Sequence, residues 1–246
     1  MWCVLISYLT LRRLIPRQAS SPTEPPSHRA LASPVLTRAL SLSLQADWQP
    51  TPARRVPSGG AQKDPLLPPP KDPTKKCLVL DLDETLVHSS FQAVRADAGV
   101  SFFTIPVEIE HSIHDINVIR RPGLDEFLRA VGGIYEVVIF TASLAKYANP
   151  VCDTIDTSNV IEHRLFREHC VFEEGNYVKD LSMLGRDLKS TIIIDNSAVS
   201  YQFQPENAIP CSNFIDDPND TDLYELVPLL EALVGVADVT RALAKQ

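Results

Sequence analysis

Three short runs in the C-terminal two thirds of the chain are almost wholly apolar or β-branched: CLVL at 77–80, YEVVIF at 135–140 and STIII at 190–194. Each has strand length, and none alternates polar with apolar. A strand with one wet face alternates; a strand covered on both faces does not. These three therefore read as buried strands of a parallel sheet. Between and after them lie helical patterns: LDEFLRAV, opened by Pro122, then SLAKYANPVCDTID, VKDLSMLGRDLK and TDLYELVPLLEALVGV. Strands alternating with helices predict an α/β fold, a doubly wound parallel sheet with right-handed crossovers. Residues 91–121 break that rhythm. There FFTIPVEIE and INVIRR alternate in period two around IEHSIHD, which predicts a short antiparallel β insertion after the first strand.

Charge divides the chain at the same place as pattern does. Residues 1–76 hold 11 Lys/Arg against 4 Asp/Glu, a balance of +7, and 13 of the 20 prolines. Residues 77–246 hold 12 against 27, a balance of −15. Segments such as PTEPPSHRALASP and LLPPPKDP bury too little apolar surface to offset their ordering entropy. The reading is a disordered Pro/Ser-rich extension over 1–74 and a folded domain over 75–246. An acidic domain repels the phosphate backbone, so no direct nucleic-acid contact is expected. Five cysteines (Cys3, Cys77, Cys152, Cys170 and Cys211) without CxxC spacing argue against a disulfide framework or a zinc site, and for a reducing compartment. No run of about 18 apolar residues is present, so no transmembrane segment is expected.

All three buried runs end in polar residues: Asp81-Leu82-Asp83, Thr141-Ala142-Ser143 and Asp195-Asn196-Ser197. In an open parallel sheet the carboxyl ends of the strands line the ligand crevice. A core has no use for such convergence, whereas a site does. Asp81 and Asp83, at i and i+2, can point to one side and repel, so one must be protonated or a cation must sit between them. Oxygen ligands without His or Cys suit Mg²⁺, which keeps several waters. An ionised Asp81 can then act as nucleophile while Asp83 carries the proton a leaving oxygen needs.

DLDETLV, TAS after the second strand, the lysine of NYVKDL and DNS after the third resemble the haloacid dehalogenase superfamily. FTASLAKYANPV, RLFREHCVF, GNYVKDLSMLGRDL and IIIDNSAVSYQFQPENAIP resemble its small C-terminal-domain phosphatase branch, the NLI-interacting-factor-like enzymes with an FCP1-homology domain. The resemblance covers about residues 74–240. It implies a protein phosphoserine/phosphothreonine phosphatase in which Asp81 becomes an aspartyl-phosphate and Asp83 is first acid, then base. It further implies that Thr141 and Lys179 bind phosphoryl oxygens. Mg²⁺ would take Asp81, the Asp83 main-chain carbonyl and Asn196, with Asp195 outside them. An apolar pocket of Phe91, Val107, Ile109, Ile116, Leu144 and Tyr147 would receive residues flanking the phosphoserine, and Arg167 would hold the peptide. A neighbouring proline suits such a pocket because it is already ordered. The implied substrates are Ser-Pro phosphopeptides such as the RNA polymerase II tail. A monomer in the nucleus or cytoplasm is expected, with the mitochondrion as the alternative compartment.

Plainer readings stand beside these. Thr141 can cap the helix that starts near Ser143. Arg120 and Arg121 read as a solvated face or local ion pairs, His88 as structural, DDPNDTD as a turn and helix cap, and Glu84 as facing solvent or capping a turn. The competing function is a non-catalytic protein-binding domain of mitochondrial import receptor type. It is kept open by an N-terminus with frequent Arg and Ser and, up to Asp47, Glu24 as its one acid. A small-molecule phosphatase on the same fold is the third reading, disfavoured because the predicted insertion is short for a cap.

Overall fold

The computed structural model describes residues 64–94, 98–109 and 111–244. The extension expected over 1–74 lies outside them as far as residue 63. Five parallel strands form the central sheet. From edge to edge they are Ala208–Pro210 (β10), Thr191–Asp195 (β9), Lys76–Leu80 (β1), Tyr135–Phe140 (β5) and Ile161–Leu165 (β6). The three apolar runs are the three inner strands. The edge strands IEHRL and AIP are too short and mixed to give that signal.

Both faces of the inner strands are covered, as their unbroken apolarity requires. Leu78, Leu80, Val137, Ile139, Ile192 and Ile194 lie in one core with the helices Leu124–Ile134 (α1), Ala145–Ile155 (α2), Asp222–Val234 (α3) and Val239–Leu243 (α4). Cys77, Val79, Val138, Phe140 and Ile193 lie in a second core with Leu67, Leu165, Leu181, Leu184 and Tyr201. The order β1, β5, β6 advances one way across the sheet, and β9, β10 returns past β1. Right-handed connections that reverse direction must change face, which places the chain between β6 and β10 over the second core.

That second face corrects one expectation. VKDLSMLGRDLK is not a helix. Asn176–Val178 is a strand (β8) paired with Val171–Glu173 (β7), and two 3₁₀ turns follow, Leu181–Leu184 and Leu188–Ser190. The Asp180 and Asp187 carboxylates accept from the N–H groups of Ser182 and Lys189, each starting a new turn. Gly185, at φ 72°, breaks the chain between the two. A second correction concerns LLPPPKDP. Leu67 is 2% exposed within the second core, Leu66 N–H donates to the Met183 carbonyl at 2.8 Å, and Arg186 donates to the Pro68 carbonyl at 2.8 Å. Packing therefore begins ahead of residue 75, because one leucine finds a pocket that the prolines only have to reach.

The antiparallel insertion is Val87–Ser90 (β2), Phe102–Ile109 (β3) and Ser112–Arg120 (β4), in the order β2–β4–β3. Its alternation is real: Ile105, Val107 and Ile109 are buried while their neighbours are not. Arg121, just past β4, is 1% exposed rather than solvated. It donates to Asp220 Oδ1 at 2.7 Å and to the Thr85 carbonyl at 3.0 Å, and stacks 5.6 Å from the Phe214 ring. The partner is Asp220 of DDPNDTD, which is a turn, as its composition predicts.

Candidate active site

Register brings the polar strand ends to one level. Leu80 lies between Ile139 of β5 and Ile194 of β9, so Asp81 leaves β1 alongside Phe140 and Asp195. Asp81 N–H still donates to the Ile194 carbonyl at 3.0 Å, and Thr141 N–H to the Leu165 carbonyl at 3.0 Å. The backbone is thus held by the sheet up to the residues that face the cleft. This cleft, of about 350 Å³, is lined by Asp81, Asp83, Thr141, Ser143, Asp195 and Asn196 on its floor. Tyr147 and Ser89 line it on the insertion side, and Arg167, Tyr177 and Val199 on the other.

Lys179 reaches the floor from below. Its Nζ lies 2.5 Å from Asp81 Oδ1 and 2.6 Å from Asp195 Oδ2. Its own N–H donates to the Ser200 carbonyl at 2.7 Å, which fixes where the side chain starts. Burial works against the ammonium, but Asp81 and Asp195 more than offset it and hold Lys179 above its ordinary pKa. Burial pushes the Asp81 carboxyl up to about 7 against the pull of Lys179, with Asp195 and Asp83 adding to the rise.

Asp83 is gripped at both oxygens. Ser143 Oγ donates to Oδ2 at 2.7 Å, with Thr141 Oγ1 at 3.5 Å, and Tyr147 Oη donates to Oδ1 at 2.6 Å. Burial and then Glu84 raise its pKa, while the bonds from Tyr147 and Ser143 lower it. Thr141 Oγ1 also accepts from Ser143 N–H at 3.0 Å, which closes a local turn; the helix itself begins at Ala145, with Leu144 as its N-cap and no side-chain cap bond, so Thr141 does not cap it. Glu84 does not face open solvent alone: it adopts φ 59° and pairs with His88 Nδ1 at 3.3 Å.

The donor set fits a hard divalent cation. Four carboxylates at the cleft, Asp81, Asp83, Glu84 and Asp195, meet two cations, Lys179 and Arg167. Asp81 Oδ2 and Asn196 Oδ1 both bond to one hydroxyl, Thr85 Oγ1, at 2.9 and 3.2 Å, so the two oxygens converge. Among the described residues, no group of three or more His, Cys, Asp or Glu side chains is spaced to hold a metal alone. A cation here would rest on a mixed set of carboxylate, amide and main-chain oxygens, as Mg²⁺ accepts when it keeps waters.

The apolar wall is where the structure departs from the sequence reading. Val107, Ile109 and Ile116 are buried in the helical core and do not line the cleft. The same alternation that makes them strand residues turns them inward, where α2 closes over them. Leu144 is half-buried against that core. Phe91 is exposed, edge-on to His114 at 6.1 Å. Tyr147 does line the cleft, yet its hydroxyl is bonded to Asp83 rather than offered as a wall. Arg167 is 3% exposed, donates from Nε to the Ala142 carbonyl at 2.6 Å, and lies 4.9 Å from the Tyr177 ring. Its Nη1 is buried without a protein partner. Residues that sequence reasoning passed over are Thr85, Ser89 and Asn213, whose Oδ1 accepts from Asn196 Nδ2 at 2.9 Å. Ser143 was marked by the TAS triplet at the end of its strand; Ser89 and Asn213 had no such signal, since tertiary contact alone gives them meaning.

Fold and site together define a class, that of parallel α/β proteins whose strand ends bring paired aspartates, hydroxyls, a lysine and an Asp-Asn pair to one cleft. Within it, residues 76–240 match the model of the NLI interacting factor-like phosphatases, and the chain belongs to that family. It is 58% identical over 177 residues to a probable C-terminal domain small phosphatase of Dictyostelium discoideum, covering 71% of this chain and 56% of that protein. Against CTD small phosphatase-like protein 1 of Caenorhabditis elegans it is 55% identical over 183 residues, 74% of this chain and 36% of the relative. Against the human carboxy-terminal domain RNA polymerase II polypeptide A small phosphatase 2 it is 53% identical over 176 residues, with 71% and 63% covered. The chain thus spans 36% to 63% of the length of these relatives.

Proposed function

We propose that this chain is a Mg²⁺-dependent protein phosphoserine/phosphothreonine phosphatase that works through an aspartyl-phosphate. The observation that carries the reading is the different hold on two neighbouring aspartates. Asp81 faces the Lys179 ammonium at 2.5 Å, which opposes the rise that burial imposes on its carboxyl, while Asp83 is aimed by the hydroxyls of Ser143 and Tyr147, as an acid–base group would be.

In the first displacement an Asp81 oxygen bonds to phosphorus as the bond to the seryl or threonyl oxygen breaks, and that oxygen takes the proton from Asp83. In the second, water bonds to phosphorus and gives its proton to Asp83. The bond from Asp81 to phosphorus then breaks and inorganic phosphate leaves. Each step hands Asp83 to the next in the required protonation state. Phosphoryl transfer asks chiefly for in-line positioning and charge stabilisation, and Lys179 and Thr141 are the groups here for the phosphoryl oxygens. Mg²⁺, held by Asp81, the Asp83 main-chain carbonyl and Asn196 with Asp195 outside them, would supply further positive charge to those oxygens. The partnerless Nη1 of Arg167 would donate to the substrate beside the phosphate.

The substrates we propose are Ser-Pro phosphopeptides of the kind found in the RNA polymerase II tail, a reading supported by the human relative's name. The full chain should release phosphate from such a peptide only with Mg²⁺, and faster than from sugar phosphates. Asp81→Asn should remain folded and lose activity by at least about 10³-fold. Equal activity in the mutant, or activity indifferent to Mg²⁺, overturns the reading. A preference for sugar phosphates would move the substrate class instead.

A further inference from the structure

We propose that Tyr147 and Ser89 are positioning residues for Asp83, linked to it as a row of hydroxyls that aims its carboxyl. The inference rests on the phosphatase reading above and gives both residues a role within it. Ser89 Oγ lies 2.5 Å from Tyr147 Oη, which lies 2.6 Å from Asp83 Oδ1. The row ties three separate elements together: β2 of the insertion through Ser89, the first turn of α2 through Tyr147, and the end of β1 through Asp83. The ring is packed in the helical core and 3% exposed, and Ser89 is buried as well. Packing alone would be served by phenylalanine, since a buried phenol must be matched with a partner or bear its desolvation cost. Here the match is made twice, toward Asp83 and toward Ser89.

The choice of hydroxyls has a chemical consequence. An ammonium or a backbone N–H only donates, whereas a hydroxyl donates one proton and accepts others. When Asp83 is a carboxylate, Ser89 donates to Tyr147 and Tyr147 donates to Asp83. Ser143 Oγ, at 2.7 Å, donates to Oδ2 on the other side. Asp83 is thus aimed through both of its oxygens.

The experiment measures kcat/KM of the full chain with Mg²⁺ on aryl phosphates that differ only in ring substituents, from p-nitrophenyl phosphate to phenyl phosphate. This ratio reports the first displacement, in which a more basic leaving oxygen depends more on Asp83. Tyr147→Phe keeps the ring and removes the row. It should steepen the dependence of rate on leaving-group basicity, with phenyl phosphate losing about tenfold more than p-nitrophenyl phosphate. Ser89→Ala should shift the slope in the same direction by less, which guards against a folding defect peculiar to one variant. Parallel loss across the series, or an unchanged slope in both variants, overturns the inference whatever the absolute rate. A wild-type chain that cleaves none of the series overturns the underlying phosphatase reading, and this inference with it.

Discussion

The two faces of the central sheet are closed by different means, and the difference bears on where the site's lysine comes from. On one face four helices set leucines, valines and Phe127 onto Leu78, Leu80, Val137, Ile139, Ile192 and Ile194. The three longer helices pair most of their own backbone groups, so this face needs little beyond apolar side chains. On the other face the cover is a proline-rich strap and short 3₁₀ turns. Such turns leave backbone groups unpaired, and side-chain amides take them up. Gln204 Oε1 accepts from Leu181 N–H at 3.0 Å, and Asn207 Nδ2 donates to the carbonyls of Leu188 and Thr191 at 2.6 and 2.7 Å. Arg186 clasps the buried Glu136 with bonds of 2.7 and 2.6 Å. A helix through 178–189 would commit that backbone to its own ladder. The irregular chain is free to tie Lys179 N–H to Ser200 and to send its side chain to Asp81 and Asp195.

The largest effect expected from this contrast is on the helical face. Phe127 is fully buried where α1 meets the core. Phe127→Ala should cost about 3–5 kcal/mol, the lost transfer free energy plus a cavity that two packed helices cannot collapse into. Urea unfolding of the full chain measures it. A loss under about 1 kcal/mol would mean that the helical face is not held by apolar packing.

On the turn face the same kind of truncation should act through hydrogen bonds. Asn207→Ala strips the donor from two carbonyls, and should cost about 2 kcal/mol. The figure is kept down because Asn207 Oδ1 finds no protein partner, so removing it relieves one buried polar atom. Asn207→Leu, which adds apolar surface, should do no better than alanine. If leucine restores full stability, the two faces are held alike and the contrast is broken.

These differences also explain what was legible in the sequence. The inner strands, their parallel arrangement and the polar residues at their ends all follow from local pattern, because burial on both faces leaves an apolar run and the end of the run leaves an edge. Asp81, Asp83, Thr141, Lys179, Asp195 and Asn196 were legible for that reason and through their motif, and they converge in the cleft. The turn face misleads because LSMLGRDLK has helical spacing, and the Asp-initiated turns and Gly185 overrule it. Tyr147 is legible as a ring near the site, but only the fold gives its hydroxyl an address on Asp83. Val107, Ile109 and Ile116 are apolar as their alternation requires, but which way a strand's inner side opens depends on the helix laid over it.

The smallest prediction asks two glycines to differ in sign. Gly185, on the turn face, sits at φ 72°, and an added Cβ would fall 2.5 Å from Pro65 Cβ in the strap. Gly185→Ala therefore meets an unfavourable backbone region and a rigid ring, and should destabilise by about 1–2 kcal/mol. Gly133 lies near the end of α1, where an added Cβ meets nothing within 4 Å. Gly133→Ala should stabilise by about 0.5–1 kcal/mol, because alanine loses less backbone entropy on entering a helix. Thermal unfolding of the two variants side by side reads both signs. Two losses would show that α1 ends under constraints like those of the turn face; two gains would show that the strap yields freely and that Gly185 is not what breaks the helix expected there.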